Sequence, residues 1–208
     1  MTRALMSYHP RYGHLYTLGL KMRAPGRKGD YLVRVNDAGF RSDREFCAEK
    51  QPGVFRVLLF GDSQGAGDGV SNADRFSDQL EKAIPGLEVY NDCLSGSGPD
   101  QQYLIYEDNR AIDHDLVIIA VYLDAIDRTS SPIRKFLDEQ DNEVFYAKPF
   151  FWIEKGALKL HNALHNAPPA KRPWTEETLP VAYRPYIPRR WKATFATKAA
   201  GTIARWNS

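Results

Sequence analysis

The sequence predicts an α/β protein built on a parallel sheet. Three observations carry this. "VFRVLLF", residues 54–60, is a continuous apolar run that ends in Gly61, as suits a strand covered on both faces. "LEVYND" (87–92) and "DLVIIAVYL" (115–123) are further apolar runs of strand length. Helical patterns separate the three, and strand–helix–strand–helix–strand is the signature of right-handed parallel crossovers.

The elements follow in chain order. Residues 1–53 form an N-terminal extension of short, turn-broken segments, with "DYLVRV" as a strand and "NDAGFRS" as a turn hinged on a glycine. The core spans 54–128. Ala73, Phe76, Leu80, Ala83 and Ile84 recur at helical spacing; Ser71 or Asn72 can cap that helix, and Pro85-Gly86 ends it. "LSGSGPD" is a loop with Pro99 placed to start the helix "QQYLIYEDNRAI". Residues 129–208 differ in character. "AKPFFWIEKGALKLHN" reads as a β-hairpin turning at Glu154-Lys155-Gly156. The proline-rich stretch 167–190 suits a surface wrap, and residues 191–206 suit a last helix.

Bulk properties bound the function. Hydrophobic residues make up 43% and charged residues 26%, as in ordinary globular proteins. Net charge is +2, from 28 basic and 26 acidic residues, so bulk charge points to no polyanionic partner. Basic residues gather late, at Lys171-Arg172 and Arg189-Arg190, without a stacking motif, so nucleic acid is not the expected partner. Cys47 and Cys93 have no paired spacing and fit a reducing compartment; Cys93, beside a buried strand, suits a small core residue. No run approaches a membrane span and no signal peptide is visible, so the expected location is cytoplasmic.

In an open parallel sheet, ligands bind beyond the carboxyl ends of the strands. Three loops leave those ends: 61–69, 95–99 and 124–128. The first is not a phosphate cradle. No Lys-Ser or Lys-Thr follows its glycines, and Val70 stands where a dinucleotide fingerprint needs its third glycine. Two readings of Ser63 remain. A serine at a strand-to-helix turn is exposed at the sheet edge beside free backbone N–H groups, as a nucleophile requires. Asp62 or Ser63 can equally cap the helix of a plain turn.

The wider pattern adds a resemblance. "LLFGDSQGAGDGV" resembles the first block of the SGNH, or GDSL, hydrolase family, and "VYNDCLSGSGPDQQ" resembles the second, where an asparagine (Asn91) precedes the oxyanion glycine (Gly96) by five residues. "DLVIIAVYLDAIDR" falls where the third block belongs. The resemblance covers about residues 36–160, and "NDAGFRSDREF" and "KPFFWIEKGALKL" look like features of bacterial members with an N-terminal extension. It implies a three-layer, flavodoxin-like parallel sheet with a hairpin insertion, and a serine ester hydrolase or acyltransferase. The substrate would be a small acyl ester, such as an O-acyl carbohydrate. Ser63 would be the nucleophile, and the N–H groups of Ser63 and Gly96 oxyanion donors. Asp62 and Asn91 would support them. No metal or organic cofactor is implied.

Two positions depart from the family. Its third oxyanion donor is an asparagine after the third strand; Asp124 stands there. An ionised carboxylate accepts hydrogen bonds and repels an oxyanion, and losing one donor costs ~10²–10³ in rate. The general base is a histidine in an Asp-x-x-His block, and no such block occurs. His9, His14 and His114 are misplaced for that role. His161 and His165, four apart, would share a face if helical, as a substitute base or a metal pair. The expectation is therefore a chain that stops before the catalytic block or carries a rebuilt tail. The alternative function is a non-catalytic SGNH-like protein that keeps the sheet and cleft for binding or assembly, with an edge of the third strand open.

Overall fold

The computed structural model describes residues 5–26, 29–137, 142–161, 175, 177 and 178. At its centre is a three-stranded parallel sheet. Strand β5 (Phe55–Gly61) lies between β6 (Leu87–Asn91) and β7 (Leu116–Ala120). Four antiparallel two-stranded sheets surround it: β1 (Met6–His9) with β2 (Gly13–Tyr16), β3 (Lys21–Ala24) with β4 (Tyr31–Arg34), β8 (Ile133–Leu137) with β9 (Glu143–Ala147), and β10 (Phe150–Glu154) with β11 (Ala157–His161). The protein is therefore mixed α/β, with a parallel centre.

Every residue of β5 from Arg56 to Gly61 is buried, as an apolar run covered on both faces should be. Leu58 and Phe60 join Tyr90 of β6 and Leu104 and Ile105 of helix α3 (Pro99–Asn109) in one core. Pro99 opens α3 as expected, since proline at the first helical position loses no hydrogen bond. Burial of each such side chain contributes roughly 1.5–3 kcal/mol.

The same core continues into the N-terminal extension through Leu15, Tyr16, Leu20, Val33 and Phe40. That extension is more regular than its sequence suggested. It forms two hairpins, and β2 packs against β9. Its strands have four residues each, too short to display a period.

The helix expected over 72–84 is broken. A 3-10 turn spans Asn72–Asp74, and α2 begins at Phe76 and ends at Ala83. Arg75 between them is extended, with φ −67° and ψ 151°. Its guanidinium bonds the Asp78 carboxylate and the Arg41 carbonyl, which a continuous helix would not allow together. The C-terminal hairpin forms as expected. Lys155 (φ 51°) and Gly156 (φ 78°) make its two-residue turn, the left-handed pair of a type I′ hairpin.

Strand β7 is an edge strand, and among the described residues no strand pairs with its outer side. Its apolar side chains are half exposed, Ile119 most at 57%. Among the described residues no helix is long and apolar enough to cross a membrane. The expected last helix and most of the proline-rich stretch lie outside the described residues.

Candidate functional site

From β5 the chain runs through α2 to β6 on one side, then through α3 to β7 on the other. The loops leaving β5 and β7 therefore diverge, and a crevice opens at the carboxyl end of β5. Ser63 stands there. It is the first residue of the single-turn helix α1 (Ser63–Ala66) and is partly exposed. Asp62 caps that turn from a buried position; its Oδ1 accepts from the Gln64 N–H at 3.0 Å. Among the described residues the Ser63 hydroxyl makes no hydrogen bond.

The loop after Ser63 is shaped by its surroundings. Gly65 lies so close to Cys93 that a Cβ would sit 2.4 Å from the thiol sulfur. Gly67 ends α1 in the left-handed region at φ 73°. The buried Arg41 guanidinium then gathers the carbonyls that turn inward: Ala66 at 3.0 Å, Gly67 at 2.8 Å and Val70 at 2.7 Å. Glycines in this stretch thus serve close approach and a tight turn, and the carbonyls face a cation rather than a phosphate.

The second loop, 92–98, is tied to the first. Asn91 Nδ2 donates to the Gly65 carbonyl at 2.9 Å, and Ser97 Oγ donates to the Gly61 carbonyl at 3.2 Å. Ser95 Oγ donates to the Asp68 carboxylate. His14 braces the loop from below. Its Nε2 donates to the Ser95 carbonyl at 2.9 Å, and its Nδ1 faces the Gln101 amide nitrogen at 3.2 Å. Both ring nitrogens are engaged, and burial pushes the imidazole down to about 3. His14 is a neutral strut and not a base.

The backbone N–H groups of this loop can be followed one by one. Asp92 donates to Leu59 O, Leu94 to Gly61 O and Ser97 to Leu94 O. Cys93 donates to Asn91 Oδ1, Ser95 to the Tyr16 hydroxyl and Gly98 to Gln101 Oε1. Gly96 alone has no acceptor among the described residues, although it is buried and held at φ 78°. Orphaned buried N–H groups are rare in native proteins. The Ser63 N–H, at the first helical position, also lacks an acceptor among the described residues.

Arg128 and Arg134 lie over these loops. Arg128 Nη1 donates to Asp62 Oδ2 and to the Ser97 carbonyl, both at 3.1 Å. The Arg134 guanidinium packs on Gly96; a Cβ there would lie 3.1 Å from its Nε and 3.2 Å from Nη2. The Arg134 Nε is fully buried and has no hydrogen-bond partner among the described residues. Burial, with the Arg128 charge nearby, lowers the guanidinium to about 10. Neither arginine stands out in the sequence. Arg134 sits on a strand with no recognisable motif, and only the register of β8 brings it to Gly96.

The remaining expected residues are placed as follows. Asp124 lies on a 3-10 helix, Leu123–Ser130, and is placed by its backbone alone. His161 is the last residue of β11, so the helical face imagined for His161 and His165 does not exist at His161. It stacks on Phe150 and lies 3.1 Å from Glu154 Oε1. His165 lies outside the described residues. His114 bonds the Ile112 carbonyl before β7, at the opposite end of the sheet from Ser63. Among the described residues no histidine contacts Ser63, and no group of three metal-ligating side chains converges. Cys93 is buried in the core as expected, and Cys47 is exposed and free.

The sequence matches no protein-family model and no curated protein.

Proposed function

We propose that this chain is an SGNH-type serine ester hydrolase or acyltransferase domain, with Ser63 as the nucleophile of a flavodoxin-like parallel sheet. The observation that carries the reading is the unengaged N–H of Gly96 in the loop beside Ser63, within a loop whose other N–H groups all have acceptors. An oxyanion hole needs donors held in place before the reaction and not spent on the protein itself. The Ser63 N–H supplies a second such donor.

In the proposed reaction Ser63 Oγ attacks the acyl carbonyl of a small ester. The carbonyl oxygen becomes the oxyanion and accepts from the Ser63 and Gly96 N–H groups. The Ser63 proton passes through solvent water to the leaving oxygen, which departs as the alcohol, and water or an acceptor alcohol then takes the acyl group. The attack requires a proton acceptor for the Ser63 hydroxyl. His14 is excluded from that role by its hydrogen bonds. With oxyanion donors and no histidine base at Ser63 among the described residues, about 10³–10⁴-fold acceleration over water is the expected scale.

A fluorophosphonate probe tests the reading directly. It should label folded protein at Ser63, located by peptide mass spectrometry, and spare Ser63→Ala. Folded protein that remains unlabelled would remove the nucleophile assignment. One observation favours the alternative of a non-catalytic binding or assembly protein: the Ser63 hydroxyl has no hydrogen-bond partner among the described residues. Absence of labelling would support that alternative.

A further inference from the structure

We propose that Arg134, seated on Gly96, forms an anion-binding subsite beside Ser63, and that the substrate carries a permanently anionic group, a carboxylate or phosphoryl ester, next to its acyl group. The juxtaposition is specific. Arg134 Nε is buried without a hydrogen-bond partner among the described residues, and it lies against Gly96 in the loop beside Ser63. A guanidinium matches the planar or tetrahedral geometry of carboxylate and phosphate oxygens.

Charge balance points the same way. Arg134 shares its surroundings with Arg128, which is paired with Asp62, and with Lys148, which is paired with Asp100. Of these three cations Arg134 alone makes no ion pair among the described residues, and the Asp62 carboxylate that favours its charge is already held by Arg128. A guanidinium nitrogen shut off from water without an acceptor is costly. An oxyanion that exists only in a transition state would relieve that cost only briefly. A permanent anion relieves it throughout binding, so the ligand implied is charged in its ground state. The other buried arginines have no such vacancy. Arg41 is saturated by carbonyls, and Arg56 by Glu88 and the carbonyls of Cys47, Ala48, Glu49 and Asp113.

The substrate statement rests on the Ser63 reading; the anion site does not. Two experiments keep them apart. The first follows thermal unfolding of the full chain in sodium phosphate against sodium chloride at equal ionic strength, for wild type and for Arg134→Gln. General salt effects act on both proteins, so the wild-type excess reads the site. A saturable phosphate-dependent rise in wild type that Arg134→Gln lacks is expected, with Arg134→Gln no less stable than wild type in chloride. Equal phosphate responses in the two proteins would overturn the site. Arg134→Lys serves if Arg134→Gln fails to fold; it keeps the charge but loses the fork, and should bind phosphate more weakly than wild type.

The second experiment compares a carboxylate-bearing ester with its neutral methyl-ester counterpart. Wild type should favour the charged substrate about tenfold or more in KM, the scale of one charge-assisted hydrogen bond. Arg134→Gln should lose that preference, its KM values for the charged and the neutral ester converging. Equal KM preference in the two proteins would overturn the substrate class. Phosphate binding without any Ser63 labelling would leave the anion site standing and remove the hydrolase.

Discussion

Arg41 Nη1 donates to the Gly67 carbonyl at 2.8 Å, across 26 residues of chain. The same side chain also reaches Ala66, Val70 and Asn72. A single buried guanidinium therefore sets the path of the whole loop that follows Ser63. Replacing it leaves several inward carbonyls without donors, and each buried orphan costs ~1–3 kcal/mol. Arg41→Ala should lower unfolding stability by about 3–5 kcal/mol in urea titration. It should also reduce probe reactivity at Ser63 under conditions where the variant remains folded.

Gly65 and Cys93 meet at a distance that admits no extra carbon. A Cβ on Gly65 would lie 2.4 Å from Cys93 Sγ but 3.2 Å from Cys93 Cβ. The clash is therefore chiefly with the sulfur. Gly65→Ala should destabilise by about 1–3 kcal/mol. Adding Cys93→Ala should recover part of that loss, giving a favourable coupling in a double-mutant cycle. Additive losses would show that the loop backbone, and not the thiol, resists the change.

Ser63→Ala should be thermodynamically quiet. The hydroxyl has no partner in the described structure, so its removal should change stability by no more than ~0.5 kcal/mol. Loss of fluorophosphonate labelling together with an unchanged melting curve would mark Ser63 as a functional and not a structural side chain.

Asp92 and His14 give the protein opposite pH responses. The Asp92 carboxyl is fully buried, and burial, only partly offset by the Asn109 side chain, raises the group from 3.8 to about 8. Between those values the unfolded chain has released the proton while the folded chain keeps it, so stability falls as pH rises. His14 is lowered from 6.5 to about 3, so the unfolded chain binds a proton that the folded chain refuses, and stability falls as pH drops through that range. The two effects offset between pH 3.8 and 6.5, and Asp92 acts without that offset from 6.5 to about 8. Urea midpoints measured for wild type and Asp92→Asn should diverge across that upper window, with the wild type alone losing stability to Asp92 ionisation. Parallel curves would place the Asp92 carboxylate in contact with solvent.

The parallel centre was legible because its strands are long apolar runs, and because Pro99 and Lys155-Gly156 carry their own backbone geometry. Ser63 and Gly96 stood out through spacing. Three things were hidden, each because it depends on partners distant in sequence. Arg41 reads as a surface charge until its carbonyl partners are known. The short strands of the N-terminal hairpins are set by docking onto the core and not by periodicity. Arg134 gains its meaning only from the β8 register and from Gly96. The break at Arg75 belongs to the same class, since propensity favours helix there and a long-range hydrogen bond to the Arg41 carbonyl accompanies the departure from it.

The Arg41 clamp also bears on how the protein comes into being. Synthesis runs from the amino end, so the guanidinium is made before the glycine loop that it grips. The loop need not search for its shape after release, because its template is already in the emerging chain. A polypeptide begun at Val54 would keep every residue of "GDSQGAGDGV" and lack the side chain that folds it. Such a shortened chain should be born with a collapsed or wandering loop, even though the strand before it forms.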